Sequence, residues 1–128
     1  MENLKNIITK DVAVLAKLCG FTKIYDNDFE ILMYVEGYVE PQYIKQEDER
    51  RYDYLAPRQD ELQEWIRNEF EMHVEIYCNA SGWGWIITNL FGSTLKEIEN
   101  DVFYGSYSKA LESGLHEALK LIKIINVL

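Results

Sequence analysis

The strongest constraint on the fold is a long amphipathic segment near the end of the chain. From Ser106, a residue type that caps helices, apolar residues recur every three or four positions for five turns. These positions are Tyr107, Ala110, Leu111, Gly114, Leu115, Ala118, Leu119, Ile122 and Ile125. The spacing predicts one helix with a buried face. A glycine inside a helix costs about 1 kcal/mol relative to alanine, so Gly114 predicts that this helix approaches a sheet closely.

A shorter helix and a hairpin are predicted upstream. Pro57 suits the first position of a helix that continues through 58–70. Its apolar stripe is formed by Leu62, Trp65, Ile66 and Phe70. Alternating apolar residues then predict strands at 72–77 and 83–90, joined by a turn at 79–82.

A third short strand is predicted at 102–104, after a loop at 92–101. The order is then helix, hairpin, strand and long helix. It predicts an α+β domain whose small antiparallel sheet, of three to four strands, is packed by helices. We expect a single domain over 1–128, with an α-β-β-β-α body at 57–128 and an N-terminal part at 1–56.

This α-β-β-β-α order resembles that of the double-stranded-RNA-binding domain. That fold recognises RNA with basic residues at the start of its last helix and in a loop. Here the last helix begins with one lysine, Lys109. The first helix presents the acidic residues Asp60, Glu61, Glu64 and Glu69. We therefore expect the likeness to concern the fold and not RNA binding.

The N-terminal part contains one predicted helix and one predicted strand. Thr9 is a typical helix cap, and Gly20 followed by Phe21 is typical of a helix end. A start at Asn3 stays open, because Leu4, Ile7 and Ile8 extend the same apolar stripe. Alternating apolar residues predict a strand at 29–36. The segment 37–57 is the least regular stretch, and a connection of this length is usually functional or disordered.

The acidic residues are concentrated in the middle of the chain. The 128 residues carry a net charge of −9, from 22 acidic and 13 basic residues. Residues 26–71 contain fourteen acids and five bases, whereas the rest of the chain has eight of each, so this window holds the whole net charge. Negative charge argues against nucleic-acid binding through phosphates and against anionic membranes. A concentrated acidic field favours partners with a basic surface.

Tyrosines alternate with acids inside this window. Because tyrosine is enriched at protein interfaces, the segment has the composition of a contact surface. The candidate partner-binding residues are Tyr43, Glu47, Asp48, Glu49, Tyr52, Asp53 and Tyr54. The alternative is a solvated loop whose charge only keeps the protein soluble.

No motif predicts catalysis, a metal site or a bound cofactor. The sequence has no CxxC, HExxH or G-x-S-x-G motif and no phosphate-binding glycine loop, and His73 and His116 have no ligand-like spacing. Cys19 and Cys78 are isolated in apolar contexts, which predicts buried reduced thiols and leaves a disulfide open. We therefore predict a protein that is not an enzyme.

Two tryptophans lie at alternating positions of one predicted strand. Trp83, Trp85 and Ile87 therefore share one face. One interpretation is core packing under the last helix, because large aromatic side chains dominate core energetics. The other is an exposed aromatic platform for a partner.

Targeting signals are not expected. The first residues lack a basic region followed by an apolar run, and no stretch approaches the ~20 apolar residues that span a bilayer. We expect a cytoplasmic protein without a membrane partner.

Three blocks carry a resemblance that covers most of the chain. They are 18–21 (LCGF), 55–59 (LAPRQ) followed by 63–67 (QEWIR), and 107–122 (YSKALESGLHEALKLI). In these blocks the chain resembles small uncharacterised proteins of prophages and mobile elements of Bacteroidales bacteria. It departs at Arg58, where that group has a small hydroxyl residue, and at Ile66, where it has leucine. The resemblance implies a phage or mobile-element origin and the cytoplasm of a bacterial host, and it implies no catalytic residue.

Two functions from different classes remain. The first is an acidic protein-interaction module of the anti-defence type. It binds a host or phage protein that has a basic nucleic-acid channel, and its carboxylates substitute for phosphates. The second is a small homodimeric structural or accessory protein whose interface is the tyrosine-rich segment or a sheet edge.

Overall fold

The computed structural model of the chain describes residues 6–21, 29–35, 38–44, 54–98 and 103–127. The described residues form three helices and antiparallel strands, in two compact units, Met1–Arg58 and Gln59–Leu128. The predicted α+β class is confirmed. The division falls two residues after the predicted boundary between 56 and 57, and the single-domain organisation stays a prediction.

Helix α1 (Lys10–Leu18) begins and ends at the predicted signals. Thr9 Oγ1 accepts a hydrogen bond from the Val12 N–H at 3.4 Å, so Thr9 is the N-cap. After the last turn, Gly20 has a φ of +99°, and the Phe21 N–H donates to the Ala16 carbonyl at 2.9 Å. This bond and the left-handed glycine are the helix ending that Gly20 and Phe21 predict. Phe21 is buried.

The first unit contains a three-stranded antiparallel sheet. Strand β1 (Phe29–Val35) is central, between β2 (Tyr38–Ile44) and β3 (Tyr54–Leu55). The strand predicted at 29–36 is confirmed. The segment 37–57, for which the sequence predicts no regular element, contributes β2 and β3 to this sheet. Pro41 does not prevent strand formation, because β2 has β1 as its only neighbour among the described strands and an edge strand tolerates a missing N–H.

Helix α2 (Gln59–Phe70) opens the second unit two residues later than Pro57 predicts. The helix begins later because residues 57 and 58 are in extended conformation and pair with the N-terminal segment. The Ile8 N–H donates to the Pro57 carbonyl at 3.1 Å, and Arg58 forms a β-bridge with Ile7. Leu62 and Ile66 from the predicted stripe are fully buried. Trp65 and Phe70 are half-buried, with ring centroids 5.2 Å apart in an edge-to-face arrangement.

The predicted hairpin is confirmed. Strands β4 (Met72–Asn79) and β5 (Gly82–Asn89) are antiparallel and are joined by two residues. Asn79 Oδ1 accepts from the Ser81 N–H at 2.8 Å, which stabilises the turn. Gly82 has a φ of +132°, and a Cβ atom there would lie 2.7 Å from the Tyr104 carbonyl oxygen. This position therefore requires glycine.

The third strand of this sheet is not at the predicted position. It is β6 (Thr94–Glu97), inside the segment predicted to be a loop, and the strand order is β4-β5-β6. Tyr104, from the predicted strand at 102–104, forms only an isolated bridge with Trp83 through hydrogen bonds of 2.8 and 2.9 Å. The edge of β5 is thus shared by two separate segments. The resemblance to the double-stranded-RNA-binding domain is not confirmed.

Helix α3 (Tyr107–Val127) packs on β4 and β5, and α2 packs on α3 and β4. Ser106 Oγ accepts from the Lys109 N–H at 3.2 Å, as the cap prediction requires. Seven of the nine predicted apolar positions are buried: Ala110, Leu111, Gly114, Leu115, Ala118, Leu119 and Ile122. Tyr107 and Ile125 are 48% and 57% exposed, because they lie in the terminal turns.

The close approach predicted from Gly114 is confirmed. A Cβ atom at this position would lie 2.8 Å from Val74 Cγ1 and 3.1 Å from Trp85 Cβ. Both distances are shorter than ordinary van der Waals contacts between carbon atoms. The absence of a side chain at Gly114 therefore sets the distance between α3 and the sheet.

An ion cluster connects β6 to α3. Lys96 Nζ lies 2.6 Å from Glu117 Oε2, and Lys120 Nζ lies 3.3 Å from Glu117 Oε1. Desolvation by burial raises the pKa of Glu117, but the hydrogen bonds and positive charges of the two lysines outweigh it, so the pKa lies below its ordinary value of 4.5. The cluster therefore favours the ionised carboxylate in the folded state.

The substitution Glu117→Gln is expected to change how stability depends on pH. A carboxyl whose pKa is lowered by folding stabilises the protein at every pH above its pKa in the unfolded chain. This stabilisation is lost as the pH falls through the pKa of the carboxyl in the folded protein. Urea denaturation midpoints of wild type and E117Q should therefore differ at pH 7 and converge below the ordinary value of 4.5. Because the side chains are partly exposed, we expect less than about 1 kcal/mol. Glu75→Gln controls for loss of an exposed carboxylate, and an E117Q difference that is constant with pH would contradict the role of the cluster.

Candidate interaction surface

Five of the predicted partner-binding residues lie outside the described residues: Glu47, Asp48, Glu49, Tyr52 and Asp53. The backbone is described at the other two, Tyr43 in β2 and Tyr54 in β3. Tyr43 is opposite Glu30, and Tyr54 is opposite Tyr34. Because β1 positions 30 and 34 share a face, the register brings all four positions to one face of this sheet. Their role in binding a partner stays a prediction.

Helix α2 carries four of the five acids of the window whose side chains the structure describes, and Glu71 follows it. Its buried side contains Leu62 and Ile66, so the charged positions are turned outwards. Glu64 and Glu69 are exposed, and neither forms an ion pair within the described parts of the chain. Both carboxylates lie on the solvent-exposed side of α2.

The carboxylates of α3 are used differently. Glu117 is held between two lysines, and Glu112 Oε1 accepts a hydrogen bond from the Gln59 side chain at 3.0 Å. Both therefore have partners inside the second unit. The acids of α3 thus make internal contacts.

Basic residues of the second unit lie mainly on other elements. Helix α2 has four acids and one base, Arg67. The lysines lie on β6 and α3, at Lys96, Lys109, Lys120 and Lys123. Acidic and basic residues are thus separated between elements, so α2 is the source of a local negative field.

Two buried or half-buried amides fix the position of α2. Gln59 is 4% exposed, and its Nε2 donates to the Ser108 carbonyl at 2.8 Å while its Oε1 accepts from Ser108 Oγ at 3.1 Å. Gln63 Nε2 donates to the Val74 carbonyl at 2.6 Å. These bonds attach α2 to the start of α3 and to the edge of β4, and they hold its acidic side in a fixed orientation.

Trp85 belongs to the core and not to an exposed aromatic platform. Trp85 and Ile87 are 4% and 0% exposed, which confirms core packing. Trp85 Nε1 donates to Ser113 Oγ at 3.1 Å, and the same oxygen lies 2.7 Å from the Tyr104 hydroxyl. Trp83 is half-buried.

The cysteines and histidines form no metal site in the described residues. No three His, Cys, Asp or Glu side chains in those ranges come together as metal ligands require. Both cysteines are free. Cys19 is buried as predicted, but the prediction is wrong for Cys78, which is exposed together with the other residues at the end of β4.

One exposed feature was missed by the sequence analysis. The connection between β5 and β6, residues 90–93, contains Leu90 and Phe91, which are 57% and 89% exposed. We name these four residues the apolar loop. Its signal in the sequence is two large apolar residues between the turn-forming residues Asn89 and Gly92. The alternating pattern instead extended the predicted strand through Leu90.

No family model, no curated protein sequence and no solved structure matches the chain. The resemblance to Bacteroidales prophage proteins stays a prediction.

None of the described helices combines the length and hydropathy needed to cross a bilayer.

Proposed function

We propose that the protein is a non-enzymatic interaction module encoded by a phage or mobile element and acting in the cytoplasm of a bacterial host. Its acidic segment, residues 26–71, binds a protein with a basic nucleic-acid channel, and carboxylates occupy the sites of phosphates. The observation that carries this proposal is a pair of carboxylates on the outward side of α2. Glu64 and Glu69 of α2 are exposed and unpaired within the described residues, whereas the acids of α3 have internal partners.

Charge reversal on α2 is expected to weaken capture of a basic protein. We propose a pulldown from a Bacteroidales cell extract with wild type, the α2 variant E64K/E69K and a second variant with Glu47, Asp48, Glu49 and Asp53 changed to lysine. Each variant should bind at least about tenfold more weakly than wild type, and high salt should reduce wild-type capture because it screens exposed charges.

The matched control is E75K/E97K, which makes the same change of charge at two exposed residues outside the acidic window. This control should retain most of the binding. Capture that is indifferent to salt and to reversal within the window would contradict the proposed function.

A second candidate function, a homodimeric structural or accessory protein, is favoured by the end of α3. Ile124 and Ile125 are 59% and 57% exposed there, and adjacent exposed apolar residues are typical of subunit contacts. Light scattering over a range of concentrations tests this candidate. A monomer at every concentration would exclude it.

A further inference from the structure

The apolar loop exposes more hydrophobic surface than a connection between two strands requires. Polar residues are sufficient for such turns. Phe91 is 89% exposed and Leu90 is 57% exposed, and the two residues are adjacent in the chain directly after β5. Single exposed apolar residues are ordinary on a protein surface, but a contiguous group indicates a site of contact.

Hydrogen bonds hold the apolar loop in one conformation. Asn89 Oδ1 accepts from the Phe91 N–H at 3.0 Å and from the Ser93 N–H at 2.9 Å. The Asn89 N–H donates to the Ser93 carbonyl at 2.9 Å, and Gly92 has a φ of +83°. A loop that is already ordered loses less conformational entropy when it binds. The two apolar side chains are therefore presented on a rigid support.

A β-bulge places a third apolar side chain beside the loop. Ile87 is opposite Lys96, and the next residue, Thr88, is opposite Thr94, so Leu95 is the extra residue of the bulge. Leu95 is 44% exposed. Bulges commonly redirect a side chain at a functional edge. Leu95 thus adds a third exposed apolar residue, four positions after Phe91 in the chain.

The charges and size of this region indicate the kind of partner. Exposed Glu69 and Glu71 lie at the same end of the sheet as the apolar loop, because Met72 pairs with Asn89. These carboxylates repel an anionic lipid surface and a second copy of the chain, and they attract a basic protein. Three side chains are too few for the ~800 Å² per partner of a standard interface, but they are sufficient for an anchor that fills a pocket.

We propose that Leu90 and Phe91 are the apolar anchor of the interface. They enter an apolar pocket on the basic partner protein, and the carboxylates of Glu69, in the last turn of α2, and of Glu71 contact the basic rim of that pocket. This proposal rests on the proposed function and names the partner surface that the same interface recognises. The anchor supplies the part of the affinity that salt does not screen, and the acidic rim supplies the part that it does.

Photo-crosslinking from position 91 tests the anchor. The full chain is prepared with the photoreactive residue p-benzoylphenylalanine in place of Phe91 and is irradiated in a Bacteroidales cell extract at low and at high salt. Mass spectrometry identifies the adducts. Unlabelled wild type, F91S, E64K/E69K and L18S compete for the same partner, where L18S removes an apolar side chain that is 63% exposed elsewhere on the chain. Circular dichroism verifies that each variant is folded.

We expect an adduct with a basic protein, for which wild type and L18S compete equally and F91S at least about tenfold more weakly. An adduct that F91S displaces as well as wild type does would overturn the anchor, and so would an adduct with lipid, with a second copy or with a protein that has no basic surface. The absence of any adduct that wild type displaces would also overturn it. If the adduct with a basic protein depends on Phe91 but is unchanged by salt and is displaced equally by E64K/E69K, the anchor stands and the acidic interface fails.

Discussion

Replacing Gly114 with valine is expected to destabilise the protein by about 3 kcal/mol. The Cβ atom alone would lie 2.8 Å from Val74 Cγ1 and 3.1 Å from Trp85 Cβ. Neither neighbour can move freely, because Val74 is a buried β-branched residue in a strand and Trp85 is 4% exposed. The two methyl groups of valine increase the overlap, so α3 must separate from β4 and β5. Urea denaturation followed by circular dichroism measures the loss.

Gly105 provides the matched control for Gly114. A Cβ atom at Gly105 would meet no atom within 4 Å, so G105A should change stability by no more than about 0.5 kcal/mol. The intermediate variant G114A gains about 1 kcal/mol of stability from the higher helix propensity of alanine. The short contacts of its Cβ atom with Val74 and Trp85 offset part of this gain. A G114V protein as stable as wild type would show that α3 does not approach the sheet as closely as these distances indicate.

The second large effect is expected for Trp85→Ala, at about 3 to 5 kcal/mol. Trp85 is the largest buried side chain between the sheet and α3, and its removal leaves a cavity beneath Ser113. The variant W85F separates packing from hydrogen bonding. It keeps most of the apolar volume, and Ser113 Oγ retains the Tyr104 hydroxyl at 2.7 Å. Loss of the indole hydrogen bond alone should cost about 1 kcal/mol.

Thermal and urea unfolding of W85A, W85F and W83A tests this assignment. Trp83 is only half-buried, so W83A should lose less stability than W85A. If W85A and W83A were equally destabilised, Trp85 would not be the central core residue. If W85F were as unstable as W85A, the hydrogen bond to Ser113 would outweigh the packing.

Local signals in the sequence were sufficient for several elements. The end of α1 depends on Gly20 and Phe21, which interact with residues of the preceding turn. The turn of the hairpin depends on Asn79 and Gly82 in the same way. Gly114 predicted the close approach of α3 because a glycine inside a strong helical pattern needs a packing reason.

The third strand could not be located from local signals. Thr94–Glu97 and Tyr104 both pair with the edge of β5, and their division of that edge depends on a bulge at Leu95. The strand at Tyr38–Ile44 was missed because Pro41 argues against a strand, and the penalty disappears only at an edge. The position of β6 and the formation of β2 both depend on which strands lie side by side in the folded sheets, and a local sequence pattern does not contain this information.

The candidate interaction surface was predictable only in part. The outward orientation of Glu64 and Glu69 follows from the amphipathic pattern of α2. The exposure of Phe91 does not follow from any pattern, because large apolar residues at the end of a strand are usually buried. The exposure of Phe91 depends on the Asn89 side chain. Its two hydrogen bonds, to the N–H groups of Phe91 and Ser93, fix a turn in which Phe91 lies outside the core.

The unequal exposure of the cysteines makes the protein suitable for attachment of probes. A thiol reagent applied to the folded chain should modify exposed Cys78 and spare buried Cys19. Cys78 pairs with Trp83, which is six residues and about 20 Å along β5 from Asn89. A fluorophore or a sensor surface coupled at Cys78 would therefore be remote from the apolar loop. Binding kinetics could then be recorded on a uniformly oriented protein without a change of sequence.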